Sequence, residues 1–113
     1  MEVIAFVGPS GSGKSHRAIG VAQQYNCQGI IDDGLLIEGA KILAGTSAKS
    51  EQNRVQAVKR AIFYDDAHAS EVRQALARSG IRRLLILATS DKMIDKITSR
   101  LSLPKPLKTV YIT

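Results

Sequence analysis

The chain has one cysteine, no tryptophan and three prolines in 113 residues. A lone Cys27 excludes an intrachain disulfide. Cys27, His16 and His68 share no ligand spacing, which excludes a four-ligand zinc site. Five aromatic residues (Phe6, Tyr25, Phe63, Tyr64 and Tyr111) are too few for a base-stacking nucleic-acid platform. No apolar run approaches the ~20 residues of a membrane span. The earliest, Val3–Val7, is too short for a signal peptide and has no basic segment before it. Without an export signal, the expected location is cytoplasmic, with no membrane partner. Internal repeats, low-complexity tracts and linkers are also missing. With 44% hydrophobic and 23% charged residues, residues 1–113 read as one globular domain.

The formal net charge is +6, unevenly distributed. Residues 1–40 hold two basic and four acidic side chains; the remainder holds fourteen basic and six acidic. A basic second half suits a phosphate-bearing or otherwise anionic partner: a nucleotide, a nucleic acid or an acidic protein. A solvated basic surface reads equally well.

Apolar runs of strand length alternate with segments of helical period. Val3–Val7 is a continuous run, as expected of a strand buried on both faces. Ala18, Val21, Ala22 and Tyr25 recur at helical spacing after Lys14. Short runs at residues 29–31 and 35–37 flank Asp32-Asp33-Gly34, where Asp-Gly favours a turn. Val55, Val58 and Ile62 have helical spacing after Ser50, the expected N-cap. Residues 61–64 then read as a strand running into Asp65-Asp66. Val72, Ala75, Leu76 and Ser79 predict a helix closed by Gly80 in a left-handed cap. Leu84–Ala88 is the strongest buried-strand signal. A helix capped by Ser90 or Asp91 and a last strand at residues 109–112 follow. Five strands with intervening crossovers predict an α/β fold with a parallel sheet.

Gly8-Pro9-Ser10-Gly11-Ser12-Gly13-Lys14-Ser15 fits G-x-x-x-x-G-K-[ST], lying between a buried strand and a helix. Its four fixed positions arise by chance in roughly a few per thousand chains of this length. The chemistry explains the residue types. Backbone N–H groups converge on phosphate oxygens only if the loop curls tightly, which glycine permits. The helix that follows adds unpaired N–H groups and the positive end of its dipole. Lys14 supplies a point charge near the β- and γ-phosphates, and Ser15 a hydroxyl suited to Mg²⁺. Gly8 to His16 are therefore the expected nucleotide contacts, with Pro9 stiffening the loop mouth. As side chains, His16 and His68 read as surface or structural, His68 being the better functional candidate.

These residues resemble the P-loop NTPase superfamily over nearly the whole chain. The resemblance implies a three-layer core, a sheet of about five parallel strands with helices on both faces, and ATP with Mg²⁺ as ligands. Members carry a second strand ending in an acidic residue on the metal side. Residues 61–64 resemble that strand, making Asp65 the metal carboxylate beside Ser15. Asp66 takes the place of a catalytic carboxylate that activates water, although in the additional-strand branch of ATPases this is often a glutamate. Asp66 capping the next helix fits equally well.

Two branches fit the order of elements. In an AAA-type ATPase core, Thr89 or Ser90 would be a polar sensor at a strand end. In small nucleotide or shikimate-type kinases, the helix after that strand carries a lid arginine, here Arg100, and Asp32-Asp33 would contact the acceptor. Lys92, Lys96 and Arg100 form an i, i+4, i+8 basic stripe; if it faces the loop, Arg100 steadies the transferred phosphoryl group. The expected catalytic set is Lys14, Asp66 and Arg100. An ABC transporter domain would carry LSGGQ, and a GTPase N-K-x-D; both are absent, which favours ATP. The expected function is Mg²⁺-dependent ATP binding with slow hydrolysis or phosphoryl transfer. A non-catalytic nucleotide sensor and a nucleic-acid-associated ATPase are the alternatives. A chain stopping at a strand without a lid is expected to be a fragment or to complete its site by protein partnership or self-association.

Overall fold

A computed structural model describes residues 1–112. The continuous apolar run near the start forms β1 (Glu2–Val7), buried from Val3 onward. The equivalent run in the second half forms β5 (Arg83–Ala88), which pairs with it in parallel over its full length. Helix α1 (Lys14–Gln24) leads to β2 (Gly29–Asp32), β3 (Leu35–Glu38) and β4 (Lys41–Gly45). A 3-10 turn at Ala48–Ser50 precedes helices α2 (Arg54–Ala61) and α3 (Asp66–Arg78). Helix α4 (Asp91–Arg100) and strand β6 (Lys108–Tyr111) follow β5.

The strand order is β4-β3-β2-β5-β1-β6. Strands β2, β5, β1 and β6 are parallel, whereas β3 pairs antiparallel with both β2 and β4. The expected five-stranded parallel sheet is thus corrected to a six-stranded mixed one. Asp33 and Gly34 take φ of +56° and +89°, giving a two-residue hairpin between β2 and β3. So short a connection can only reverse the chain; a parallel partner would need a long crossover.

Each face of the sheet has its own apolar layer. Ile4, Phe6, Ile30, Leu85 and Leu87 pack with Ala18 and Ala22 of α1. Val3, Ala5, Ile31, Leu84 and Ile86 pack with Val72 and Leu76 of α3 and Ile94 and Ile97 of α4. Burying each large side chain contributes about 1.5–3 kcal/mol, so these two layers fix the sheet relative to its helices. Helix α2 differs: it has no buried residue. Among the described residues, no helix is long and apolar enough to cross a membrane.

Residues 61–64 are not a strand, a second correction. Ala61 closes α2, Ile62 caps it and Phe63 takes φ +59°. The helical period of Val55, Val58 and Ile62 runs through the short apolar stretch, and Phe63 then turns fully inward to stack on His68. The α2 cap is Asn53 rather than Ser50. Gly80 is not a left-handed cap either, since Ser79 closes α3 in extended conformation.

Candidate functional site

The loop after β1 is curled by two left-handed glycines, Gly11 (φ +78°) and Gly13 (φ +84°). The Ser12 N–H donates to the Pro9 carbonyl (3.2 Å), and the Gly8 N–H donates to Ala88 at the end of β5 (3.1 Å). A side chain at Gly8 would meet Ile112 Cβ at 3.0 Å and Ser12 Oγ at 3.1 Å, so any larger residue there would have to push these neighbours back by a few tenths of an ångström. Ser12 Oγ is buried without a partner.

The loop delivers the chain into α1 with its first N–H groups free. Gly13 supplies no side-chain cap, and the first turn holds no acidic residue. In contrast, α2, α3 and α4 are capped by the side chains of Asn53, Asp65 and Ser90. The positive end of α1 is therefore open to an anion. Lys14 Nζ lies at the same place, donating to the carbonyls of Gly8 (2.5 Å) and Pro9 (3.0 Å). Burial lowers its pKa, and the neighbouring Asp32 carboxylate partly opposes that shift.

Asp32 closes the site. It ends β2, and Ser15 Oγ–H donates to its Oδ2 at 2.7 Å. A cavity of about 440 Å³ lies over this pair, walled by Ser10, Gly11, Gly13, Lys14, Ser15 and His16 of the loop and helix. Asp32, Asp33, Lys49 and Thr89 complete the wall from β2, the 3-10 turn and the end of β5. Two oxygen donors, a hydroxyl and a carboxylate, facing a cavity beside a cation and free N–H groups fit a Mg²⁺-bound polyphosphate. No cluster of three or more His, Cys, Asp or Glu side chains able to hold a metal ion by themselves occurs among the described residues. Any metal here would take further ligands from phosphate and water.

Of the expected loop residues, Ser10, Gly11, Gly13, Lys14, Ser15 and His16 line the cavity; Gly8, Pro9 and Ser12 do not, and neither do the three residues expected opposite them. Asp65 is the N-cap of α3, where its Oδ1 accepts from the His68 backbone N–H (3.0 Å); that bond holds its pKa below the usual carboxylate range. Asp66 pairs with Arg100 at 2.5 Å. Arg100 also donates to the carbonyls of Phe63 (2.8 Å) and Tyr64 (2.9 Å), pinning the α2–α3 turn to α4. Asp65, Asp66 and Arg100 are all absent from the wall of the loop cavity.

From the sequence Asp32 is expected only on the acceptor side, although it too directly follows an apolar run, Ile30-Ile31. Of the two sensor candidates, Thr89 lines the loop cavity, whereas Ser90 Oγ caps α4 by accepting from the Met93 N–H (3.2 Å). Lys49 carries no sequence signal of a site, since it lies in a polar stretch without motif or periodicity.

His68 is structural and supports the site from behind. It is buried, with Nε2 at 2.8 Å from the Gly34 carbonyl and 3.3 Å from the Thr46 backbone N; the shorter contact is made when Nε2–H donates to Gly34, the longer when Nε2 accepts from Thr46. Its Nδ1 has no partner, and burial lowers its pKa from 6.5. It thereby ties α3 to the hairpin that carries Asp32. No known protein-family model, curated protein or solved structure matches the chain.

Proposed function

We propose that this chain is a P-loop nucleotide-binding domain that takes ATP with Mg²⁺ and turns it over slowly. The observation that carries the reading is the 2.7 Å bond between Ser15 Oγ and Asp32 Oδ2 beneath an uncapped helix and a curled glycine loop. Backbone N–H groups from Gly11 to Ser15 would hold the β-phosphate, and Lys14 would bridge toward the γ-phosphate. Ser15 and Asp32 would hold Mg²⁺, directly or through water, which neutralises charge on the phosphates when bound.

Strand order supports an ATPase-type reading over a kinase. Strand β5 lies between the loop strand β1 and the acidic strand β2, an arrangement resembling the additional-strand branch. Thr89, at the end of that inserted strand, fits the polar sensor. Asp33 is drawn into the hairpin turn, where its Oδ2 accepts from Ser47 Oγ–H (2.9 Å), so it is a poor base for an acceptor hydroxyl.

Slow turnover follows from the pairing of Asp66 with Arg100. The two groups expected to orient the nucleophile and steady the developing charge neutralise each other at another turn. Losing one such group commonly costs ~10²-fold or more in rate. Hydrolysis by the purified chain is therefore expected below about one per minute, far under the usual enzymatic range. The same observation favours a second reading, a nucleotide sensor whose bound state sets partner binding.

Thermal stability with ATP, ADP, GTP or GDP, with and without Mg²⁺, tests the proposal. ATP–Mg²⁺ at a hundred times Kd should stabilise by roughly 2.7 kcal/mol. No stabilisation by any of the four would overturn it. Lys14-dependent phosphate release of several per second would overturn both slow turnover and the sensor reading.

A further inference from the structure

We propose that the groove between α2 and α4 is a docking site for an acidic, partly apolar peptide segment of a partner protein. The groove starts at the phosphate cavity, with which it shares Ser10, Asp33 and Thr89, and runs outward between the two helices. Its first stretch is about 490 Å³ and is lined by Arg54, Val58, Ile62, Lys92 and Lys96. A second stretch of about 390 Å³ shares Ile62, Lys92 and Lys96 and adds Tyr64.

Three observations specify the occupant. First, α2 buries none of its residues, and Val58 and Tyr64 are 56% and 62% exposed. Isolated helices of eight residues are marginal in water, and α2 is only half-buried at Ala57, Lys59, Arg60 and Ala61, so apolar contact from outside would stabilise it further. Second, Arg54, Lys92 and Lys96 make no ion pair among the described residues; the pairs present use Arg60, Arg83 and Arg100. Acids along the groove are few, with Asp33 at the loop end and Asp95 at the outer end. An occupant with carboxylates and at least one apolar side chain therefore complements both walls.

Third, the shape is an open trough. An eight-residue helix gives it a length of about 12 Å, enough for roughly four extended residues or two helical turns. Tyr64 is its only aromatic residue, so a stacked nucleic-acid strand fits poorly.

The test is selection of random 12-residue peptides displayed on phage against the purified chain, followed by fluorescence anisotropy with the enriched peptides. Enriched sequences should combine acidic residues with a large apolar one. Their affinity should fall at least about tenfold for Lys92→Glu/Lys96→Glu and, separately, for Val58→Ser. All these positions are exposed, so the melting temperatures should stay near the parent's. Lys14→Ala should bind the peptides as the parent does, which separates this site from the nucleotide proposal. The inference is overturned by no enrichment, by enriched peptides without acidic residues, or by binding that ignores either substitution. Tighter binding of a twenty-residue oligothymidine through the same lysines would also overturn it, marking a nucleic-acid surface.

Discussion

Two aspartate pairs in this chain follow short apolar runs and meet opposite fates. Asp32-Asp33 follows Ile30-Ile31, and Asp65-Asp66 follows Ile62-Phe63-Tyr64. By local pattern, the second pair resembles the metal-side end of a P-loop core more closely. In the structure it is the first pair, not the second, that lies beside the glycine loop. Asp32 bonds Ser15, while Asp33 turns the chain back into β3. Asp65 and Asp66 instead serve α3 and Arg100, as a helix cap and half of an ion pair. An acid after an apolar run acquires its role from the element before it: a strand in the sheet presents it to the loop, a helix end turns it away.

The largest expected effect falls on the loop side of this contrast. Lys14→Ala should lower ATP–Mg²⁺ affinity by roughly 10- to 100-fold, the usual cost of a hydrogen bond to a charged group. The fold should survive, since the lost bonds reach only the Gly8 and Pro9 carbonyls. Calorimetric titration reads this, and unchanged affinity would remove Lys14 from the site.

The hairpin beside Asp32 is next. Gly34 has φ +89°, and a side chain there would run into the Thr46 carbonyl. Gly34→Ala should cost about 1–3 kcal/mol in urea unfolding. It should also weaken Mg²⁺-dependent nucleotide binding, because Asp32 would lose its position.

A smaller effect concerns His68, which links the two aspartate pairs. Its pKa is lowered in the folded chain, so between the folded value and about 6.5 the unfolded chain binds more protons. Its contribution is complete above pH 6.5 and is lost as pH falls through the folded pKa. Unfolding measured from pH 7.5 to 5 should show that loss, and His68→Phe should flatten its share of the slope. The smallest effect is expected at Asp66. Its side chain is 93% exposed, so Asp66→Ala should leave stability nearly unchanged and phosphate release unaltered. A large fall in turnover would return Asp66 to the catalytic set.

The legible parts of this fold are those governed by neighbours in sequence. The curled loop after β1 can be read because Gly11 and Gly13 act through local backbone geometry. Strand β5 can be read because Leu84–Ala88 is too apolar for a surface. The stretch at residues 61–64 is ambiguous because four apolar residues suit a helix end as well as a strand, and only the inward turn of Phe63 onto His68 decides. Strand β4 leaves only a weak pattern in the sequence because its Ile42 stays exposed on an edge strand. The role of Asp32 depends on β5 entering the sheet between β1 and β2, a pairing across more than fifty residues that no local pattern encodes.

The measurement that separates the two aspartate pairs is ATP titration with and without Mg²⁺ on the parent, Asp32→Asn and Asp65→Asn. Asp32→Asn should lose most of the Mg²⁺-dependent gain in affinity while keeping metal-free binding. Asp65→Asn should bind as the parent does and melt close to it, because an asparagine oxygen can keep the bond from the His68 N–H and caps a helix as well as aspartate does. The reverse result, with the Mg²⁺ effect lost in Asp65→Asn and kept in Asp32→Asn, would contradict the assignment of the metal-side carboxylate to Asp32.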